Sequence, residues 1–301
     1  MTLPDSEWLT WFVSRVDANL LGPTSVRDIT KILLFASIGF LLEVAAKKNW
    51  RLRYGSRNFR IDVLYYIFYY AGIYQFLIYT WIYRSLTHLV TAYAPWMKME
   101  LFSGMSPGVQ IIVLILAVDF FGYWSHRLRH AYRFLWVFHS IHHSQTILTP
   151  AANFRFHFVD ETVLRLCLFI PFTMLGTPVM IWLWVDLFMA WVLLLQHSEW
   201  TWTYGPFGRI FVSPAFHRIH HAKDERLHNS NYAMLFSFWD DLFGTAERRA
   251  PVPAEHGLPG DPVPETVMGQ ILYPFREIAR DFRRPSKDAV AAAPQIRGVP
   301  E

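Results

Sequence analysis

Eight histidines fall in three short boxes: His126-Arg127-Leu128-Arg129-His130, His139-Ser140-Ile141-His142-His143 and His217-Arg218-Ile219-His220-His221. Five of the chain's 13 histidines lie within residues 126–143. On a helix, residues three and four apart share a face. His126 with His130, His139 with His142 and His143, and His217 with His220 and His221 therefore make three one-sided clusters. A crowd of imidazoles would repel if protonated and is well placed if a cation sits between neutral rings. Imidazole suits Zn, Fe, Cu and Ni, and eight rings exceed one tetrahedral site, so two metals are expected.

Other polar residues lie close enough in sequence to join them. Asp119, Tyr123, His126 and His130 fall on one helical stripe, and Asp186, Ala190, Leu193 and His197 fall on another. An acidic residue inside an apolar run is costly and marks function by default. Asp119 and Asp186 are candidates to hold a ligand imidazole by its second nitrogen, with a plain hydrogen bond in a helix bundle as the bland alternative. His157 and His197 are additional ligand candidates, and His228 is a weaker one. His88 and His256 are expected to be bystanders, in an outer loop and in the tail. Arg127, Arg129, Arg133 and Arg218 sit between ligands, where they could meet phosphate headgroups, dock an acidic electron donor or simply anchor the chain to a membrane surface.

The elements that must position these residues are apolar. The chain is 53% hydrophobic, 17% aromatic and only 17% charged, against roughly 25% charged in soluble proteins. An all-α, multi-pass transmembrane bundle of four or five spans is expected. After an interfacial segment bearing Trp8, Trp11 and Phe12, spans are read at 29–46, 61–83, 109–123, 162–175 and 179–196. Lys47, Lys48, Arg51, Arg53, Arg57 and Arg60 place the first loop in the cytoplasm. The last two spans form a hairpin about Gly176-Thr177-Pro178, which returns the chain to the side it left. All three boxes then gather on one face, as a cytoplasmic cap. The expected location is a bacterial inner membrane or, in a eukaryote, the endoplasmic reticulum. The first 21 residues lack the basic start of a signal peptide.

Several function classes are excluded. The lone Cys167 allows no internal disulfide and no thiolate metal site. The formal charge of +4 comes without a basic patch interleaved with base-reading residues, so no nucleic-acid partner is expected. No His-Glu-x-x-His, Gly-rich phosphate loop or Gly-x-Ser-x-Gly elbow occurs. Nitrogen-held metals at the mouth of an apolar bundle suit O₂-dependent redox chemistry on a lipid. Splitting O₂ beside an unactivated C–H bond is beyond side chains alone, and iron is the metal expected for it, with zinc as a substitute in the same ligands.

The boxes resemble the H-x3-H, H-x2-HH, H-x2-HH pattern of the fatty acid hydroxylase/sterol desaturase superfamily, a group of membrane-bound di-iron enzymes. Asp119-Phe120 and Tyr123-Trp124, Arg155-x-His157, Gln196-His197-Ser198, Phe211-Val212-Ser213-Pro214, Asn231-Tyr232 and Trp239-Asp240-Asp241-Leu242-Phe243-Gly244-Thr245 resemble the family's flanking motifs. Phe158 stands where the family has Pro, and Ala233 where it has Gly. The resemblance implies two irons held by His126, His130, His139, His142, His143, His217, His220 and His221, with His157 and His197 as further candidates. It also implies O₂-dependent hydroxylation or desaturation of a sterol, fatty acyl or alkylglycerol-type lipid. Electrons would come from a separate protein or a small reduced cofactor. The implied organisation is a membrane region over 1–108, a hydroxylase-like catalytic domain over 109–246 and a partly disordered tail over 247–301. Two other readings stay open. A zinc-dependent membrane hydrolase would take Asp224, Glu225 or Glu161 as its base; a metal- or lipid-binding protein would need no base at all.

Overall fold

A computed structural model describes residues 50–70, 82, 84–260 and 262–283. The expected interfacial segment and first span, and most of the second span beyond Tyr70, lie outside the described residues. Among the described residues the chain is all-α, with no strand and two isolated bridges, Phe211 to Phe236 and Ala222 to His256. The helices are α1 (Trp50–Tyr54), α2 (Arg57–Tyr70), α3 (Arg84–Tyr93), α4 (Pro107–Ala131), α5 (Arg133–His143), α6 (Phe158–Leu175), α7 (Val179–Gln196), α8 (Pro214–His220), α9 (Phe238–Leu242) and α10 (Val267–Arg283).

Helix α4 is long and apolar enough, by length and composition, to cross a membrane. Pro107 at its first turn costs no hydrogen bond, because the first N–H groups of a helix have no internal partner. Its apolar half packs on α6 and α7 through Leu114, Val118, Leu168, Val185 and Met189. The α6–α7 hairpin turns at Gly176, whose φ of 64° lies in the left-handed region that glycine enters without strain. At 18 residues each, the two arms are about 27 Å long, so His157 before α6 and His197 after α7 come out at the same end. Position 158 is the first residue of α6. A Phe there in place of Pro leaves one more N–H at a point where helices leave N–H groups unpaired anyway, so the departure from the family pattern costs no geometry.

One extended residue, Tyr132, separates α4 from α5 and folds the second box back onto the first. Gly122 lets the segment after the third box lie against α4, since a Cβ there would sit 2.3 Å from the Met234 sulfur. The C-terminal region packs more closely than its composition suggests. Leu258 and Val263 are buried with Ile61, Tyr65 and Ile141, and Arg133 holds Asp281 and Glu277 of α10 at 3.0 and 3.6 Å.

Arg155 is fully buried between α2 and the turn that precedes α6. Its Nε donates to Asp62 at 2.6 Å, and its Nη atoms donate to Asn58 Oδ1 at 3.1 Å and to the Asn58 carbonyl at 2.8 Å. Removing one partner of such a pair strands the other charge in the interior. Arg155→Leu is therefore expected to lower stability by about 3–5 kcal/mol. A melting temperature within a degree of the parent would count against this account of the pair.

Candidate metal centre

The three boxes assemble into two groups of histidines, with a ninth residue added. His126, His130, His139, His143 and His220 form one group, and His142, His197, His217 and His221 the other; all nine are buried, and within each group one nitrogen from each ring lies within 4.8 Å of the others. The partition corrects the expectation of three one-sided clusters. Each pair four residues apart stays together: 126 with 130, 139 with 143, and 217 with 221. The odd member of the second and third boxes crosses to the other group. A helix advances about 100° per residue, so the rings of a His-His doublet diverge. His142 and His143 stand at 89° to each other, as do His220 and His221. Each doublet thus offers one imidazole to each group.

Hydrogen bonds fix which nitrogen faces inward. His126 Nδ1 lies 2.8 Å from the Tyr232 carbonyl, His220 Nδ1 2.7 Å from that of Ser230, and His197 Nδ1 2.8 Å from that of Leu193. His139 Nδ1 is 3.0 Å from Asp160 Oδ2. Carbonyls and carboxylates only accept, so these four rings carry their proton on Nδ1 and direct the Nε2 lone pair inward. The inward Nε2 atoms of His126, His139 and His220 are buried with no hydrogen-bond partner. His197 Nε2 faces His142 Nε2 and His217 Nε2, each at 3.2 Å, and His130 Nε2 faces His143 Nε2 at 3.1 Å. Orphaned, converging lone pairs inside a protein are costly unless a cation takes them, so the donor set fits two metal ions.

Burial, reinforced by neighbouring imidazoles and cations, holds His139, His142, His143, His217 and His221 well below the usual histidine range and brings His220 to about 3. The rings are neutral, as ligands must be. Below about pH 6.5 the unfolded chain takes up protons that the native groups refuse. Stability of the metal-free protein is therefore highest at neutral and alkaline pH and is lost as pH falls. A thermal melt of chelator-treated protein that is flat between pH 7 and pH 5 would contradict this.

The remaining sequence candidates take other places. His157 lies outside both groups; its Nδ1 accepts from the Val159 N–H, capping α6, and its Nε2 donates to the Ile271 carbonyl at 3.1 Å. His228 bonds the Ala222 carbonyl and also stays outside. Asp119 does not hold an imidazole. It accepts from the Leu235 and Phe236 N–H groups at 2.7 and 2.8 Å and from the Trp239 indole at 3.0 Å, so it braces the segment whose Tyr232 carbonyl takes the His126 proton. Asp186 pairs with Arg165 at 3.0 Å instead of His197, because Arg165 reaches it from the facing helix. Asp240 works as Asp119 does, accepting from Tyr232 and Ala233 N–H and from the Thr245 hydroxyl.

The arginines between ligands are turned to internal partners. Arg129 is buried and donates to both oxygens of Asp160 at 3.2 Å and to the Ser125 carbonyl. Arg127 reaches Tyr123 and the Phe243 carbonyl, and Arg218 the Pro253 carbonyl. Asp160, which orients His139, was not singled out by the sequence, where it reads as an ordinary acidic residue in the first turn of a helix. His88 and His256 lie outside both groups; His88 is exposed on helix α3 where an outer loop was expected, and His256 is buried and pairs by its backbone with Ala222.

A cavity of about 160 Å³ runs from the histidines into the apolar bundle. His126 and His139 of the first group and His142, His197 and His217 of the second form its polar end, and Leu168, Met189 and Leu193 line its walls. Among the described residues, the charges along it are Arg129 and a cluster in which Arg165 bridges Glu161 at 2.7 Å and Asp186 at 3.0 Å.

Residues 111–245 match the family model described as fatty acid hydroxylase. The ornithine lipid hydroxylase of Rhizobium tropici is 34% identical over 173 residues, 57% of this chain and 52% of that protein. Human alkylglycerol monooxygenase is 31% identical over 142 residues, 44% of this chain and 29% of that protein. A methylsterol monooxygenase of Arabidopsis thaliana is 27% identical over 139 residues, 45% of this chain and 47% of that protein. The chain thus spans about half the length of the first and third of these relatives and under a third of the second. No solved structure matches it significantly. The matched stretch contains all nine grouped histidines and the Asp119, Asp160 and Asp240 carboxylates that brace them, and over it the chain is similar to the fatty acid hydroxylase family.

Proposed function

We propose that the protein is an integral-membrane, O₂-dependent lipid hydroxylase with two irons, one at each histidine group. The observation that carries this reading is the pair of buried groups with inward lone pairs, opening on an apolar cavity. His126, His130, His139, His143 and His220 would hold one iron, and His142, His197, His217 and His221 the other. Bound there, the irons would supply O₂ activation, with electrons from a separate protein or a small reduced cofactor. The chain's own part is to fix the imidazole tautomers, keep bulk water from the site and lay an aliphatic segment along Leu168, Met189 and Leu193 with a C–H bond at the histidine end.

Hydroxylation is favoured over desaturation because the three relatives described above are named as hydroxylases and monooxygenases. The charged cluster in the cavity wall favours a lipid with a polar head, of the ornithine lipid or alkylglycerol kind, over a bare sterol. Spans over α4, α6 and α7, with the histidines at their cytoplasmic ends, give such a lipid access from the bilayer. A hydrolase would need a free carboxylate base. Asp224 is bound to Arg226 at the surface, Glu225 is exposed to solvent, and Glu161 is bound to Arg165.

The test is metal analysis and Mössbauer spectroscopy on protein purified anaerobically in detergent. About two antiferromagnetically coupled irons per chain are expected. Two zincs after iron-replete expression, with no iron uptake on reconstitution, would overturn the oxygenase reading.

A further inference from the structure

Helix α10 presents two distinct faces. Its inner face is used: Gln270 and Pro274 are buried, Tyr273 packs on the cluster around Ile61 and Tyr65, and Glu277 and Asp281 bind Arg133. Its outer face exposes Met268, Leu272, Phe275 and Phe282, with exposed Ala279 between the last two. These positions follow a four-three-four-three spacing, which is one unbroken helical stripe. Phe282 is 87% exposed. Arg276, Arg280 and Arg283 are also exposed and lie together along one edge of the stripe. An apolar stripe edged by arginines is the pattern of a helix lying in a lipid interface, with its cations at the headgroup phosphates.

The stripe does not end with the helix. Phe275 meets Phe138 at 5.6 Å and Phe158 at 6.5 Å, and Phe138 meets exposed Phe134 at 5.6 Å. Beside this aromatic surface lies a second cavity, of about 230 Å³, walled by Leu64 and Phe68 of α2, Phe158 of α6, and Val267 and Ile271 of α10. Leu64, Phe68 and Phe158 are themselves exposed, so the cavity lies against the apolar surface. Its inner wall is Phe156, which also lines the histidine-bearing cavity and stacks on His142 at 4.2 Å and 12°. Phe154 and Glu161 line both cavities as well, so these three side chains separate the second chamber from the histidines, and Phe156 is the one that stacks on a histidine ring.

We infer that α10 lies in the bilayer interface with its outer stripe among the acyl chains, and that the chamber beneath it is the port through which a lipid chain reaches the histidine-bearing cavity past Phe156. The inference rests on the proposed lipid oxygenase activity only for what the chain meets beyond Phe156. The bilayer is the occupant that fits, because the surface is apolar, continuous over three helices and bordered by cations that match anionic headgroups.

The test uses the full-length protein in a Cys167→Ala background, reconstituted in phosphatidylcholine/phosphatidylglycerol vesicles. Bimane is attached at Leu272→Cys, Phe282→Cys, Arg276→Cys or Arg280→Cys. Doxyl-labelled phospholipid should quench the labels at 272 and 282, and aqueous iodide those at 276 and 280. Iodide quenching at all four positions, or protection of 272 and 282 from both quenchers by another segment of the protein, would overturn the membrane placement. For the port, doxyl-stearic acid should show a motionally restricted EPR component that is lost in Leu64→Trp/Val267→Trp, and in the milder Val267→Phe, at unchanged metal content. Restricted signal persisting in both filled variants would overturn the port. An iron-free wild type showing the expected quenching and EPR patterns would keep the port while removing the oxygenase reading, so the two can fail separately.

Discussion

His197→Ala is expected to yield a folded protein that retains about one iron where two are expected in the parent, with turnover lost. The retained affinity at the affected site should drop by more than the ~10–100-fold that loss of an outer hydrogen-bond partner costs. His197 is the member of its group that no box contains. It arrives from the end of α7, with Nδ1–H committed to the Leu193 carbonyl and Nε2 3.2 Å from both His142 and His217. Removing it takes the central donor from His142, His217 and His221 and leaves the other group whole. His157→Ala is the matched control. That ring caps α6 and bonds Ile271, so its loss should cost about 0.5–2 kcal/mol of stability, the usual worth of a helix cap, and leave both metals in place. Metal content by mass spectrometry, beside a thermal melt, separates the two. Full metal in His197→Ala would sink the assignment of that residue.

That the box histidines could gather was legible because helical spacing is a local property. His126 and His130 share a face whatever the rest of the chain does. The hairpin was legible for the same reason, from two apolar runs about Gly176, and it correctly brought His197 to the side of the boxes. What escaped was everything set by distant contact. That the His142-His143 and His220-His221 doublets split between groups depends on how α5 and α8 face each other. Asp119 lies on the stripe of His126, yet its partners are Leu235, Phe236 and Trp239, more than a hundred residues away. Asp186 lies on the stripe of His197, yet a cation from the neighbouring helix, Arg165, claims it. Shared stripes show which side chains can meet. A stronger partner from another element decides which do.

Asp160 is the carboxylate most exposed to this logic, and its removal should act on stability and metal together. It accepts His139 Nδ1–H at 3.0 Å and two bonds from Arg129 at 3.2 Å, with all three side chains almost wholly buried. Asp160→Asn leaves Arg129 with no counter-charge, which is expected to cost about 3–5 kcal/mol. It also frees His139 to take the other tautomer, with its proton on Nε2 and no lone pair facing inward, which should weaken metal binding at the first group by about 10–100-fold. The two effects have different causes and can be pulled apart. Adding Arg129→Met to Asp160→Asn removes the stranded charge, so the double variant should regain most of the melting temperature. It does nothing for the His139 tautomer, so metal affinity should stay low. If metal binding recovered along with stability, Asp160 would be only a counter-ion to Arg129, and orientation of His139 would have to come from elsewhere. If neither recovered, the Arg129 charge would not be the source of the instability. Recovery of stability alone is the result that assigns Asp160 both roles.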